Sequence, residues 1–129
     1  MPIQSLARPS RGLAAALLAL CCAAAQAQSP AVPHSTAASP DVYKVVAENA
    51  RYRVIQVTWA PGQKDADHSH PESAGYFLDS CQLRFFLPNG TTSDLARPAG
   101  FAVVQGPIAS HAVQNIGTAP CRLVMFEPK

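Results

Sequence analysis

Prolines and short β-prone runs recur from Asp41 to the end of the chain, and they constrain the fold more than any other feature. Prolines lie at positions 61, 71, 88, 98, 107, 120 and 128. No stretch between them keeps apolar residues at helical spacing for three turns. The residues there are largely β-branched and aromatic, and such residues favour strands over helices. The region therefore predicts an all-β domain built from short strands.

Turn-forming sequences such as PNG and RPAG separate these runs at regular intervals. Residue alternation supports strands, since Leu83, Phe85 and Leu87 fall on one face while Gln82 and Arg84 fall on the other. Many short strands at even spacing are typical of a sandwich or small barrel of the jelly-roll type. The predicted strands are residues 42–49, 52–60, 74–79, 82–88, 91–96, 101–105, 111–116 and 122–128.

The first 27 residues have the features of a secretory signal peptide. Arg8 and Arg11 precede an apolar run over residues 12–25, and an Ala-Gln-Ala site at 25–27 predicts cleavage after Ala27. An uncleaved anchor remains an alternative, as does a lipoprotein modified at Cys21, although Leu20 is bulky for that position. We expect export to the periplasm or secretion.

Residues 28–40 are rich in proline, serine and alanine and have no apolar period, which predicts a flexible leader. His34 lies in this segment and is predicted to be a solvated bystander. The expected organisation is a signal peptide over residues 1–27, a leader over 28–40 and one domain over 41–129.

Charge excludes two classes of partner. The chain has ten Lys and Arg and eight Asp and Glu. Cleavage after Ala27 would remove Arg8 and Arg11, so the mature protein would be near neutral. It has no basic block of the kind that binds nucleic acid or an anionic membrane. We expect neither partner.

Two of the four histidines form a His-x-His sequence at His68 and His70. On an extended backbone, residues two apart project to the same face, so both imidazoles could bind one ion, and imidazole is the commonest metal ligand. A third donor would be required, and His111 opens a predicted strand. The alternative is that these histidines are solvated or packed without a metal.

The spacing around these histidines resembles that of a small single-domain cupin. In the first cupin motif a glycine precedes His-x-His by five residues, as Gly62 precedes His68 here. In the second motif a glycine is followed, in register, by a histidine and an asparagine, matching Gly100, His111 and Asn115. The resemblance covers residues 42–128 and implies a cupin-type jelly-roll β-barrel. Its metal ligands would be His68, His70 and His111.

The motif glutamate is missing. It should fall at position 74 or 75, where this chain has Ala74 and Gly75, and Glu72 lies two or three positions early. Some cupins hold iron with three histidines alone, so the resemblance still implies a divalent metal ion, namely Fe, Zn, Mn or Ni. Three neutral ligands would leave the ion its full charge and favour an anionic or enolate-like ligand.

The jelly-roll topology also places the two cysteines outside the signal segment. It implies that the turns near Cys81 and Cys121 lie at the same end of the fold. In an oxidising compartment these residues would form one disulfide, and two free thiols are the alternative.

Three functional hypotheses follow. The first is a metal-dependent oxygenase or related enzyme acting on a small molecule. The second is a non-catalytic module that binds or senses a metal or small ligand. The third is a structural protein with a vestigial site. Asp65 and Asp67 lie in a loop without identifiable partners, so the sequence contains no paired-carboxylate signature. The resemblance also implies a homodimer, with residues 42–49 at its interface.

Overall fold

The computed structural model describes residues 30–129, and the predicted signal peptide lies outside the described residues. Within this range the chain forms one short helix and nine strands. They are α1 (Ser35–Ala38), β1 (Tyr43–Glu48), β2 (Tyr52–Trp59), β3 (His68–His70), β4 (Ser73–Phe77), β5 (Cys81–Phe86), β6 (Thr92–Arg97), β7 (Ala102–Gln105), β8 (Ile108–Asn115) and β9 (Cys121–Pro128). Among these residues no helix has the length and apolarity needed to cross a membrane.

The strands form two sheets that pack face to face. One sheet has the order β1-β2-β9-β4-β7 and the other the order β3-β8-β5-β6. All strand pairs within them are antiparallel. The all-β jelly-roll prediction is confirmed, but the sheets do not close into a barrel. They stay separate because β6 and β7, which end their sheets, are not hydrogen-bonded to each other.

Each of the eight predicted strands is present, with ends shifted by up to three residues. The strand missing from that prediction is β3, which has only three residues and is too short to show a pattern. Leu83 and Phe85 face the interior as alternation requires, but Leu87 lies beyond the end of β5 and is 40% exposed.

The core lies between the two sheets. Alternate residues of β2 and β9 supply much of it, and the apolar side chains that are almost fully buried include Ile55, Val57, Leu83, Val113 and Leu123. Burial of such side chains contributes about 1.5 to 3 kcal/mol each. Among the described residues, nine polar ones are also buried, including His68, His70 and His111.

A disulfide joins Cys81 and Cys121, with their Cα atoms 5.3 Å apart. Cys81 begins β5 in one sheet and Cys121 begins β9 in the other. The predicted pairing is confirmed. The reason given for it also holds, because β4 pairs with β9 and β5 pairs with β8. The bond therefore ties the two sheets together at one end.

Removing this disulfide should lower the stability. The bond closes a loop with a sequence separation of 40, and the chain-entropy relation gives about 3 to 4 kcal/mol for a loop of this length. We expect the Cys81→Ser/Cys121→Ser double variant to lose this amount of unfolding free energy in urea titrations of metal-free protein. A loss below about 1 kcal/mol would show that the cross-link does not constrain the unfolded chain.

Candidate metal site

The structure brings the three predicted histidines together. β3 pairs with β8, and this pairing sets His68 directly opposite His111. The ring centroids lie 4.7 Å apart for His68 and His70, 4.6 Å for His68 and His111, and 5.3 Å for His70 and His111. One ring nitrogen from each lies within 4.8 Å of the other two. Three residues that are far apart in sequence thus surround one point.

Hydrogen bonds select the nitrogens that face this point. The Nδ1 of His68 donates to the Ala66 carbonyl at 2.7 Å, and the Nδ1 of His70 donates to Glu127 Oε1 at 2.8 Å. Each neutral ring then carries no proton on Nε2, and the Nε2 of His68 also lies 3.1 Å from the Tyr43 hydroxyl. The buried Nε2 of His111 has no hydrogen-bond partner within residues 30–129. A buried nitrogen without a partner is unfavourable unless a group such as a cation satisfies it, so the three residues fit a metal ion.

Burial keeps two of these imidazoles neutral. It lowers the pKa of His68, and the hydrogen bond to Ala66 only partly offsets the effect. Burial, with the nearby His68 and His70, lowers the pKa of His111 to about 3. Neutral imidazole is the form that binds metal. At neutral pH these nitrogens are therefore available without prior loss of a proton.

Metal-free protein should lose stability as the pH falls below about 6.5. The unfolded chain binds protons at its histidines near that pH, whereas folded His111 resists protonation down to about 3. Unfolding therefore takes up protons, and each such group lowers the unfolding free energy by up to about 1.4 kcal/mol per pH unit. Urea titrations at pH 7 and pH 5 in EDTA would measure this. His111→Asn should reduce the difference, and equal stabilities at both pH values for the unsubstituted protein would contradict the expectation.

Asp65 is a buried aspartate that accepts hydrogen bonds from residues next to the histidines. Asp65 Oδ2 accepts hydrogen bonds from the Tyr43 hydroxyl at 2.8 Å and the Trp59 indole at 3.0 Å. Its Oδ1 accepts from the Val113 backbone N–H at 2.6 Å. Burial, together with Asp65, raises the pKa of Tyr43, whose hydroxyl lies 3.1 Å from His68 Nε2. The prediction that Asp65 lies in a loop without partners is therefore wrong.

Glu127 is the carboxylate beside the histidines, and sequence analysis missed it. It is fully buried at the end of β9, with its Oε1 on His70. Burial opposes its ionisation, but the hydrogen bonds from His70 and His34 outweigh burial and lower its pKa. Alternation carried the signal, because Glu127 shares the inward face of β9 with Leu123 and Met125. A charged residue at a core position points to a buried partner.

His34 is not a solvated bystander, and that prediction was wrong. Its Nε2 lies 2.8 Å from Glu127 Oε2, and its side chain is only 23% exposed. The end of the predicted flexible leader also forms α1. His34, His70 and Glu127 make a second group with metal-ligand atoms. Their facing atoms already satisfy one another by hydrogen bonds, so this group supports the first site.

A cavity of about 160 Å³ lies beside the histidines, between the two sheets. His70, His111 and Tyr43 are among its lining residues. Most of the remaining wall is apolar, and among its other polar residues are Arg97 and Gln105. Leu95, Arg97, Val103 and Gln105 come from the edge strands β6 and β7, where the sheets remain separate. The cavity can therefore admit a small molecule of mainly apolar character.

The structure shows what surrounds the position at which the motif glutamate would fall. Gly75 lines the cavity, and a Cβ there would lie 3.4 Å from Val103 Cγ1. Glu72 is exposed and belongs to neither histidine group, so it does not replace the glutamate. Asn115 is held by hydrogen bonds to the carbonyls of Trp59 and Ala119, as expected of a structural residue.

The backbone conformation explains why both motif positions are occupied by glycine. Gly62 and Gly100 adopt φ values of 77° and 84°, which residues with a Cβ rarely adopt. Gly62 lies in the turn before β3 and donates its N–H to Asn115, at the end of β8. The turn thus links the strand that bears His68 and His70 to the one that bears His111.

Comparison with solved structures identifies the fold. A cupin domain from Bordetella pertussis matches with a TM-score of 0.63 at 19% identity, covering 76% of this chain and 96% of the other. A double-stranded β-helix protein from Klebsiella pneumoniae matches with a TM-score of 0.55 at 25% identity, covering 67% and 75%. A polyketide cyclase from Streptomyces resistomycificus has a TM-score of 0.51 at 17% identity, covering 67% and 63%.

Sequence comparison is less informative, since neither a protein-family model nor a curated protein matches the chain. The structural matches therefore establish the fold without establishing an activity. This chain has two antiparallel sheets that carry a histidine group on β3 and β8, and the solved neighbours share its fold. The protein has the cupin fold, also described as a double-stranded β-helix.

Proposed function

We propose that this protein is an exported metal-binding cupin that acts on a small molecule, as a metal-dependent oxygenase or a related enzyme. The observation that carries the proposal is the buried group of His68, His70 and His111, whose ring nitrogens lie within 4.8 Å of one another beside a mainly apolar cavity that His70 and His111 line. A divalent Fe, Zn, Mn or Ni ion held there would supply Lewis acidity toward an oxygen-bearing substrate. One neighbour of the same fold is an enzyme, the polyketide cyclase.

The cavity indicates the class of substrate. Among residues 30–129, no Asp or Glu lines the cavity, and Arg97 contributes a positive charge from the edge strand β6. Three neutral ligands leave the charge of a divalent ion uncompensated. A small, mainly apolar molecule with one anionic or enolate-like oxygen therefore fits best. The apolar wall would exclude water, Arg97 would attract the anion, and Gln105 offers an amide for orientation.

Two measurements on purified mature protein test the proposal. Elemental analysis should find about one equivalent of a divalent transition metal. With iron present, oxygen uptake with candidate thiols, diketones and phenols should exceed the uptake by a His68→Ala variant. Absence of metal after reconstitution with each of the four ions would refute the site. Full metal occupancy without turnover on such a panel would refute the enzymatic proposal.

A second candidate is a non-catalytic metal or small-ligand binding or sensing module. The observation in its favour is that the cavity offers few groups for proton transfer. The Tyr43 hydroxyl already donates to Asp65, and that carboxylate accepts three hydrogen bonds. Metal occupancy and tight binding of an anionic ligand, without turnover, would support this function.

Export and self-association complete the proposal. The Cys81–Cys121 disulfide supports an oxidising compartment such as the periplasm. On β1, Val45 and Val46 are 41% and 55% exposed, which supports a homodimer formed through this strand. Fractionation with mass analysis of the mature N-terminus tests export. Light scattering of the purified protein and of a Val46→Lys variant tests the dimer.

A further inference from the structure

Residues 32–39, here called the N-terminal strap, lie along the strand that bears His68 and His70. Between those two histidines, Ser69 donates its backbone N–H to the Pro33 carbonyl at 2.9 Å and its hydroxyl to the Val32 carbonyl at 3.1 Å. β3 is the outermost strand of its sheet, so the strap extends that sheet in parallel. The strap therefore holds the backbone between the two candidate ligands.

The other end of the strap is also fixed to this region. Ser39 Oγ accepts the backbone N–H of Ala66 at 2.9 Å, and Ala66 is the residue whose carbonyl holds the His68 imidazole. Ser35 and Ser39 are 0% and 5% exposed. The strap is thus hydrogen-bonded to the site at both ends, and it contacts the backbone before and within the His-x-His sequence.

His34 connects the strap to an imidazole as well as to the backbone. The Thr36 backbone N–H donates to His34 Nδ1 at 3.2 Å. Because Nδ1 accepts this bond, the proton of the neutral ring lies on Nε2, which donates to Glu127 Oε2 at 2.8 Å. The other oxygen of Glu127 accepts from His70 Nδ1. This chain of bonds fixes the His70 tautomer with its free Nε2 toward the candidate metal.

Arg53 can compete with His34 for Glu127, and this competition gives His34 a specific role. Arg53 Nε lies 3.9 Å from the same Oε2 atom, and this buried nitrogen has no hydrogen-bond partner among residues 30–129. Without His34, the carboxylate is free to turn toward the guanidinium, a permanently charged donor that pairs strongly with carboxylates. Its bond to His70 would then weaken.

We infer that the N-terminal strap is part of the metal site and that His34 is a positioning residue for His70, acting through Glu127. The inference rests on the proposed metal-binding function. It assigns a role to a segment whose composition indicates only a leader. Partners that orient a ligating histidine commonly change metal affinity by about 10- to 100-fold, so the strap should tune affinity without contacting the ion.

The test compares His34→Ala, His34→Gln and Val57→Ala in the mature protein. Glutamine can donate to Glu127 and accept from Thr36, as His34 does, whereas alanine can do neither. Val57 is a fully buried core residue outside the cavity lining, so its truncation reports general destabilisation. Co²⁺ is titrated by its visible absorption, and the imidazole tautomers of metal-free protein are read by ¹⁵N NMR.

His34→Ala should weaken Co²⁺ binding by about 10- to 100-fold, and His34→Gln should recover most of that loss. Val57→Ala should lower the melting temperature and leave the Co²⁺ affinity unchanged. The metal-free protein should show His70 protonated at Nδ1, and His34→Ala should make this tautomer mixed. The inference fails if His34→Ala binds Co²⁺ like the parent, or if alanine and glutamine weaken binding equally.

The NMR measurement separates this inference from the proposed function. If the parent protein bound no Co²⁺, the metal proposal would fall. The role of His34 would then be decided by the His70 tautomer alone. A tautomer that is the same in the parent and in His34→Ala would overturn the strap's positioning role. A tautomer that becomes mixed in His34→Ala would uphold it.

Discussion

Replacing His111 with alanine should weaken binding of divalent metal by roughly 100- to 1000-fold. Structural sites with four ligands gain about 10 to 16 kcal/mol on binding zinc, so one ligand contributes about 2.5 to 4 kcal/mol, which is of the order of this factor. His111 is the best ligand to replace in this test, because its Nε2 has no hydrogen-bond partner within residues 30–129. Competition with a chromogenic chelator would measure the affinity.

Gln105→Ala is the matched control for this change. Gln105 lines the same cavity but belongs to neither histidine group, so its truncation enlarges the cavity and leaves the ligands in place. Its metal affinity should stay within a factor of about three of the parent value. Equal affinities for His111→Ala and the parent would show that the ion binds elsewhere or that two histidines suffice.

Replacing Asp65 with alanine should destabilise the fold by roughly 3 to 9 kcal/mol. Three buried donors, the Tyr43 hydroxyl, the Trp59 indole and the Val113 backbone N–H, would lose their acceptor. Each buried donor left unpaired costs about 1 to 3 kcal/mol. Small domains have only about 5 to 15 kcal/mol of total stability, so we expect a large fraction of the variant to be unfolded at 25 °C. Urea titration followed by Trp59 fluorescence would measure the loss.

The same loop supplies a control. Asp67 is exposed and makes no side-chain hydrogen bond or ion pair in the described part of the chain, so Asp67→Ala should change the unfolding free energy by less than about 0.5 kcal/mol. Asp65→Asn keeps the size of the side chain and should lie between the two. If Asp65→Ala and Asp67→Ala were equally stable, the buried network would not hold this loop.

The sequence predicted the strands well because their signal is local. Alternation and turn residues specify β5 and β9 directly, and β4, β5, β8 and β9 pair as the jelly roll requires. These local signals do not report whether the sheets close into a barrel, because closure depends on contacts between the edge strands β6 and β7. The α1 turn was missed because its stability comes from bonds to Glu127 and Ala66, and composition carries no trace of these.

The residues of the candidate site also differ in whether the sequence carried a signal for them. His68, His70 and His111 were found because their spacing follows two motifs, and the β3–β8 pairing brings them together. Asp65 and His34 could not be assigned, since nothing in their neighbours indicates that they are buried. Glu127 could have been found, because alternation places it on the inward face of β9.

A crystal of Co²⁺-loaded mature protein, recorded at the cobalt absorption edge, tests the central claim most directly. We expect one anomalous peak about 2.1 Å from the Nε2 atoms of His68, His70 and His111, a distance typical of imidazole ligands. A fully occupied peak at any other position, including between His34 and Glu127, would contradict it.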